Sequence, residues 1–239
     1  TRIYSDGGEV IGEYFTEKRF VVPLKQIPKI VVQAFVAAED NRFFQHNGLD
    51  FLGILRAFIK NLEAGEIVQG GSTITQQVAK SLLLGSEKSL RRKVREAALA
   101  LLMEKHLSKE EILSLYLSQI YLGYGAYGVE AAAQNYFNKH VWQLSLAEAS
   151  ILAGLPSAPS RYSPAVHPLR AHWRQRYVLD QMKLAGYIAE DDFQRALKEP
   201  VNIQPRRVKA WEKAPYFTEF ARQYVEEKYG RQLLYEGGL

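Results

Sequence analysis

From Pro28 onward the apolar residues return every three or four positions, and this spacing restricts the chain to a mostly helical fold. Leu90, Val94, Ala97, Ala98, Leu101 and Leu102 form one such series, and Phe217, Phe220, Ala221, Tyr224 and Val225 another. A stripe of that period buries only as the face of an α-helix. Helix starts are marked as well. Ser108-x-x-Glu111 and Ser145-x-x-Glu148 are capping boxes, and Pro168 and Pro215 suit a first helical turn. About ten helices are expected, well above the usual share of about a third of residues. The fold class is mainly α. A little β is expected at the N-terminus, where Asp6-Gly7-Gly8 separates Ile3-Tyr4 from Val10-Ile11 as a hairpin turn, and near Val201–Gln204.

At 239 residues, with 47% hydrophobic and 24% charged residues, the chain can bury a core without staples. It has no cysteine, which excludes a disulfide scaffold, a thiol nucleophile and a Cys-ligated zinc. The five histidines are scattered without metal-ligand spacing, and no Gly-x-Ser-x-Gly elbow is present. A net charge of +5 attracts phosphate groups. No nucleic-acid-binding signature accompanies it, so nucleic acid is not an expected partner. The longest uncharged run, Ile112 to Val129, contains three glycines and reads as a buried helix followed by a glycine-rich turn, not a membrane span.

Four segments hold residues able to do chemistry. Val31, Ala34, Phe35 and Ala38 stripe a helix that ends at Glu39-Asp40. A carboxylate there meets the negative end of the helix dipole and loses hydration beside apolar groups. Both effects raise its pKa and favour a base near neutral pH. The alternative is a solvated glutamate paired with Arg42. Gly70-Gly71-Ser72-Thr73 leads into a second helix, with Thr73-x-x-Gln76 as a cap and Gln77 and Lys80 on the face of Thr73. Such a start offers N–H groups to an anion, with Lys80 reaching toward it; equally, it is an ordinary well-capped helix. From Lys88 to Glu96 five of nine residues are basic. Lys93 and Glu96 lie beside the apolar stripe, which fits a cleft better than a solvated face. Finally Phe51, Leu52, Ile54, Leu55, Phe58, Ile59 and Leu62, with Arg56 and Lys60 among them, exceed one stripe. That suits a helix lying in a membrane interface or, alternatively, a buried core helix. Gly65, Gly70 and Gly71 after it suggest a mobile loop.

The order of these motifs carries more than each alone. Glu39-Asp40-Asn41-Arg42-Phe43-Phe44-x-His46-x-Gly48, then Gly70-Gly71-Ser72-Thr73-Ile74-Thr75-Gln76-Gln77, then Arg92-Lys93-x-x-Glu96, then Ile112-Leu113-x-x-Tyr116-Leu117 with Gly123 to Tyr136-Phe137, resembles the peptidoglycan glycosyltransferase domain of class A penicillin-binding proteins and monofunctional transglycosylases. The resemblance implies a lysozyme-like fold of two lobes, a head and a smaller membrane-facing jaw at about 48–72. It implies polymerisation of lipid II onto a growing lipid-linked glycan strand at the outer face of the bacterial cytoplasmic membrane. Glu39 falls on the family's general base and Glu96 on its second glutamate. Arg42, His46, Ser72, Gln77, Lys80, Arg92 and Lys93 fall on substrate- or pyrophosphate-binding positions, and Phe51, Leu55, Phe58 and Ile59 on the membrane interface. No cofactor is required by the resemblance; a divalent cation, Mg²⁺ or Mn²⁺, is expected at most with the pyrophosphate, and its ligands are unknown. Moenomycin-type inhibitors are expected to bind. Ser118 stands where the family usually has Asn, and Asn138 where it has Gly.

The resemblance also orders the chain. Residues 1–27 form a hairpin segment following an expected membrane anchor, 28–201 the glycosyltransferase domain, and 202–239 the start of a linker toward a transpeptidase domain. Two rival functions remain. A glycan-cleaving enzyme of the lysozyme or lytic transglycosylase kind would use Glu39 as an acid, but has no need of a pyrophosphate clamp. A non-catalytic module binding anionic lipid would leave Glu39 without a role.

Overall fold

The computed structural model describes residues 2–13, 18–65, 70–83, 89–204 and 215–235. Among them are eleven α-helices and four short strands. The strands are β1 (Arg2–Tyr4), β2 (Val10–Glu13), β3 (Lys18–Arg19) and β4 (Ala126–Tyr127). The helices are α1 (Lys29–Glu39), α2 (Phe51–Ala64), α3 (Ile74–Leu83), α4 (Leu90–His106), α5 (Lys109–Gln119), α6 (Val129–Phe137), α7 (Leu146–Gly154), α8 (Pro168–Leu184), α9 (Glu190–Lys198), α10 (Pro215–Tyr229) and α11 (Arg231–Tyr235). The chain is mainly α, as its periodicity requires.

The capping signals fix helix starts where expected. Ser108 and Ser145 each accept a hydrogen bond from the N3 backbone while Glu111 and Glu148 return it to the cap. Pro168 opens α8. The hairpin also forms, with Arg2 opposite Glu13 and Tyr4 opposite Val10. Residues 201–204 form no strand. Gln204 N–H donates to the Tyr136 carbonyl at 2.8 Å, a single bond with no ladder to extend it.

The chain divides into two compact units, residues 19–204 and residues 1–18 with 205–239. The expected 28–201 domain lies within the first. In the second, Thr218 and Leu234 are fully buried, and Arg222 holds Glu219 and Glu226 on α10.

The larger unit is organised around α7, whose residues Ala147–Gly154 are all buried. A helix apolar on every side belongs at the centre of a core. Its small residues, Ala147, Ala149, Ser150, Ala153 and Gly154, let α1 and α8 approach closely. Phe35 of α1 meets Tyr116 of α5 edge to face at 6.3 Å, and both are buried. Each such aromatic contributes about 1.5–3 kcal/mol by leaving water. Helix α3 packs on α4 and α5. The C-terminal end of α1 thereby meets α3 at Gln77 and the middle of α8 at Arg174, and Lys93 of the first turn of α4 reaches Ser72 just before α3.

Asn138 ends α6 in the left-handed region (φ 53°), a conformation Asn tolerates better than other side chains, which explains why it can stand in a glycine position.

Helix α2 is the exception to this packing. Phe51, Leu52, Ile54, Leu55, Ile59 and Leu62 are all exposed, and Ala57 is its one buried residue among the described side chains. The alternative of a core helix is thus overturned. The Phe58 side chain lies outside the described residues, as do residues 66–69 of the glycine loop and Lys88 of the basic cluster.

Candidate active site

Glu39 closes α1 with its side chain only 11% exposed. Its Oε2 accepts a hydrogen bond from Gln77 Nε2 at 3.0 Å, and Arg174 lies 3.8 Å from Oε1. Burial raises its pKa above the ordinary glutamate value, with neighbouring Asp40 adding to the rise; Gln77 and Arg174 oppose it. The solvated pair with Arg42 does not form. Arg42 instead bridges to Asp50 at 3.1 Å and bonds Gln45.

The cavity beside Glu39 has a volume of about 690 Å³. Its walls include Ser72, Gln77, Lys80, Arg92, Lys93 and Glu96, residues far apart in sequence that α3 and α4 bring together. Arg161, Tyr162, Arg174 and Tyr177 line it as well. Glu96 is 2% exposed and accepts from Arg92 at 3.2 Å and from Lys93. Lys93 also donates to Ser72 Oγ at 2.9 Å. Glu96 is therefore a counter-ion that fixes two cations at the cavity wall. A buried carboxylate so paired is costly to lose, because its partners would remain desolvated.

A second, smaller cavity of about 80 Å³ also reaches Glu39. Asp40, Asn41, Asp50, Arg56, Tyr177 and Gln181 are among its walls. Glu39 thus stands between two pockets, one mostly cationic and one of mixed charge.

The start of α3 departs from expectation. Thr73 and Gln76 do form the reciprocal cap, at 3.0 and 3.1 Å. The next donor, Ile74 N–H, is taken by Asp40 Oδ2 at 3.0 Å, and Thr73, Ile74 and Gln76 are buried. The anion site expected at this N-terminus is therefore filled by the protein's own carboxylate. Lys80, two turns further on, does reach the large cavity.

His46 and Arg42 line neither cavity. His46 Nε2 lies 3.0 Å from Asp40 Oδ1, and its backbone carbonyl accepts from Lys109 at 2.6 Å. Thr73 Oγ1 donates to the Gly48 carbonyl at 2.6 Å. The segment after Glu39 is thus a brace that fixes α3 against α1, and hence Gln77 against Glu39. Gly48 is required in it: its φ is +86°, and a Cβ would lie 2.9 Å from the Ala100 carbonyl.

The sequence reading missed Arg174, Tyr177 and Asp40. Arg174 stacks on Tyr177 at 4.3 Å, sits 5.6 Å from the Tyr162 ring, and donates from Nε to the Gly154 carbonyl at 3.3 Å. Within α8, Arg174, Tyr177 and Gln181 share one face at helical spacing; the pattern was visible, but nothing local said that this face meets Glu39.

No three His, Cys, Asp or Glu side chains among the described residues cluster as metal ligands. Nor is any described helix long and apolar enough to cross a membrane.

A family model described as Transglycosylase matches residues 7–183. The chain is 47% identical over its full length to penicillin-binding protein 1A of Aquifex aeolicus, of which it spans 32%. It is 46% identical to penicillin-binding protein 1A of Escherichia coli, with 99% of this chain covered and 28% of that one. A crystal structure of penicillin-binding protein 1A from Haemophilus influenzae matches with a TM-score of 0.58 and 29% identity, covering 98% of this chain and 25% of that chain. The chain spans about a third or less of these relatives. Because the family model covers most of its length, the chain belongs to the transglycosylase family of peptidoglycan glycosyltransferases.

Proposed function

We propose that this chain polymerises lipid II, with Glu39 as general base. The observation that carries the reading is a buried carboxylate of raised pKa lining a cavity that Lys80, Arg92 and Lys93 also line. Glu39 takes the proton of the acceptor GlcNAc 4-hydroxyl as that oxygen attacks MurNAc C1 of the donor. The C4–O–C1 bond forms with inversion, the C1–O bond to pyrophosphate breaks, and its electron pair leaves on undecaprenyl pyrophosphate. The cations offset the charge that develops on that leaving group.

Glu96 does not act on a proton in this scheme, since both its oxygens are committed to Arg92 and Lys93. The same commitment makes it a poor metal ligand. Among the described residues no carboxylate cluster builds a protein-held site for Mg²⁺ or Mn²⁺, and no step is assigned to one. Moenomycin-type inhibitors would compete in the cationic pocket. The exposed apolar side of α2 would lie on the outer leaflet surface of the cytoplasmic membrane, with Phe51, Leu55 and Ile59 as anchors. A glycan-cleaving enzyme would leave the cationic wall without a purpose.

The test is polymer formation from labelled lipid II in detergent, comparing wild type with Glu39→Gln. Polymer from wild type and at least a hundredfold less from the folded variant is expected, by the usual scale of general-base catalysis. Wild-type activity should rise with pH along an acid limb lying above the ordinary glutamate range, because the ionised form is the base. Equal activity in both proteins refutes the assignment.

A further inference from the structure

Arg174 holds a position that the reaction scheme does not use. Its guanidinium is the one cation within 4 Å of Glu39 among the described residues. Lys80, Arg92, Lys93 and Arg161 line the same cavity; Arg92 and Lys93 are engaged by Glu96, and neither Lys80 nor Arg161 lies within ion-pair distance of Glu39. Arg174 is itself fixed on every side. Tyr177 lies under its plane, Tyr162 lies beyond, and Nε is tied to the Gly154 carbonyl. Its side chain is 16% exposed, so it is neither a free surface charge nor fully removed from the cavity.

Space for it is provided by Gly154, the last residue of α7. A Cβ at 154 would lie 2.8 Å from Arg174 Cγ. Gly154 does not have a positive φ, so its need for glycine is the stem of Arg174 and not the backbone.

We infer that Arg174 is a positioning residue that keeps the Glu39 carboxylate ionised and aimed across the cavity. The inference rests on Glu39 being the base. The groups facing Glu39 from each packed element divide clearly. Asp40 follows it on α1, and its negative charge disfavours ionisation. Gln77 of α3 donates a neutral hydrogen bond, and Lys80 of the same helix and Arg161, after α7, lie in the shared cavity; Asp50, paired with Arg42, and Arg56 line the smaller one. Tyr116 of α5 is buried with its hydroxyl held neutral by burial and by the charges of Glu39 and Asp40. Glu96, Arg92 and Lys93 of α4 neutralise one another in large part. On α8, Tyr177 is a ring under Arg174. Arg174 thus offsets what burial and Asp40 do to Glu39.

Three variants test this in lipid II polymerisation, each read as kcat and KM across a pH series. Arg174→Met keeps the stem and removes the charge. Its acid limb should move up by about one pH unit, the low end of what one adjacent cation does to a carboxylate. Arg174→Lys should keep the limb closer to wild type. Gly154→Ala leaves the charge but displaces the stem, and should move the limb in the same direction by less. Thermal melts check that each variant folds. The inference is overturned if Arg174→Met loses kcat equally at all pH, or raises KM alone with the limb unmoved. It is also overturned if Gly154→Ala, folded, leaves the limb in place. If wild type itself makes no polymer, or Glu39→Gln makes as much, it is instead the base assignment that fails.

Discussion

Replacing Asp40 by alanine should loosen the brace that joins α1 to α3, and the structure gives its size. Asp40 is 7% exposed and accepts from Ile74 N–H at 3.0 Å and from His46 at 3.0 and 3.1 Å. Losing a helix cap costs about 1 kcal/mol. Leaving the imidazole nitrogen buried without a partner adds about 1–3 kcal/mol. The sum is about 2–4 kcal/mol, and a chain of this size loses roughly 2–4 °C of Tm per kcal/mol. Thermal unfolding followed by circular dichroism should therefore show Asp40→Ala melting roughly 5–15 °C below wild type. Asp40→Asn keeps an acceptor for Ile74 and offers an amide to His46 in its other tautomer, so it should recover most of the loss. Both variants remove a negative neighbour of Glu39, so the acid limb of polymerisation should move down in each, opposite to the Arg174 variants. A melt within about 1 °C of wild type for Asp40→Ala, or equal losses for Ala and Asn, would refute the brace.

Two further outcomes are expected. The Tyr116 hydroxyl is buried without a hydrogen-bond partner, so Tyr116→Phe should leave Tm unchanged or raise it; a fall of several degrees in the same melt would show that the hydroxyl is satisfied. Phe51→Ser with Leu55→Ser should weaken sedimentation with phosphatidylglycerol vesicles at least tenfold while changing stability by less than about 0.5 kcal/mol, because both residues are exposed. Unchanged binding would remove α2 from the membrane surface.

Several helices were legible because their starts carry a local signal: Ser108, Ser145 and Thr73 cap where their spacing to Glu111, Glu148 and Gln76 requires. The place of Glu39 after an apolar stripe left both a buried and a solvated carboxylate open, and the packing of α3 and α8 against it decided for burial. Arg174 was not, since its role depends on α7 and α8 packing against α1, a contact more than a hundred residues from Glu39 along the chain. The fate of His46 and of the α3 N-terminus was hidden for a related reason. Both were read as facing a ligand, and both face Asp40, whose side chain sits where the expected anion would. The exposure of α2 was ambiguous in sequence because an interfacial helix and a core helix share the same excess of apolar residues.

The counter-ion role of Glu96 bears on how the proposed enzyme completes a cycle. A polymerase must grip its leaving group at each addition and then let it go. Cations with a resident partner hold a pyrophosphate less tightly than free ones. Arg92 and Lys93 already have a carboxylate on their far side, so the departing anion meets a pair whose charge is partly spent. Once bond cleavage is over, Glu96 competes for the same donors, which favours release of the leaving group. Turnover, on this reading, is set by how evenly two anions share two cations.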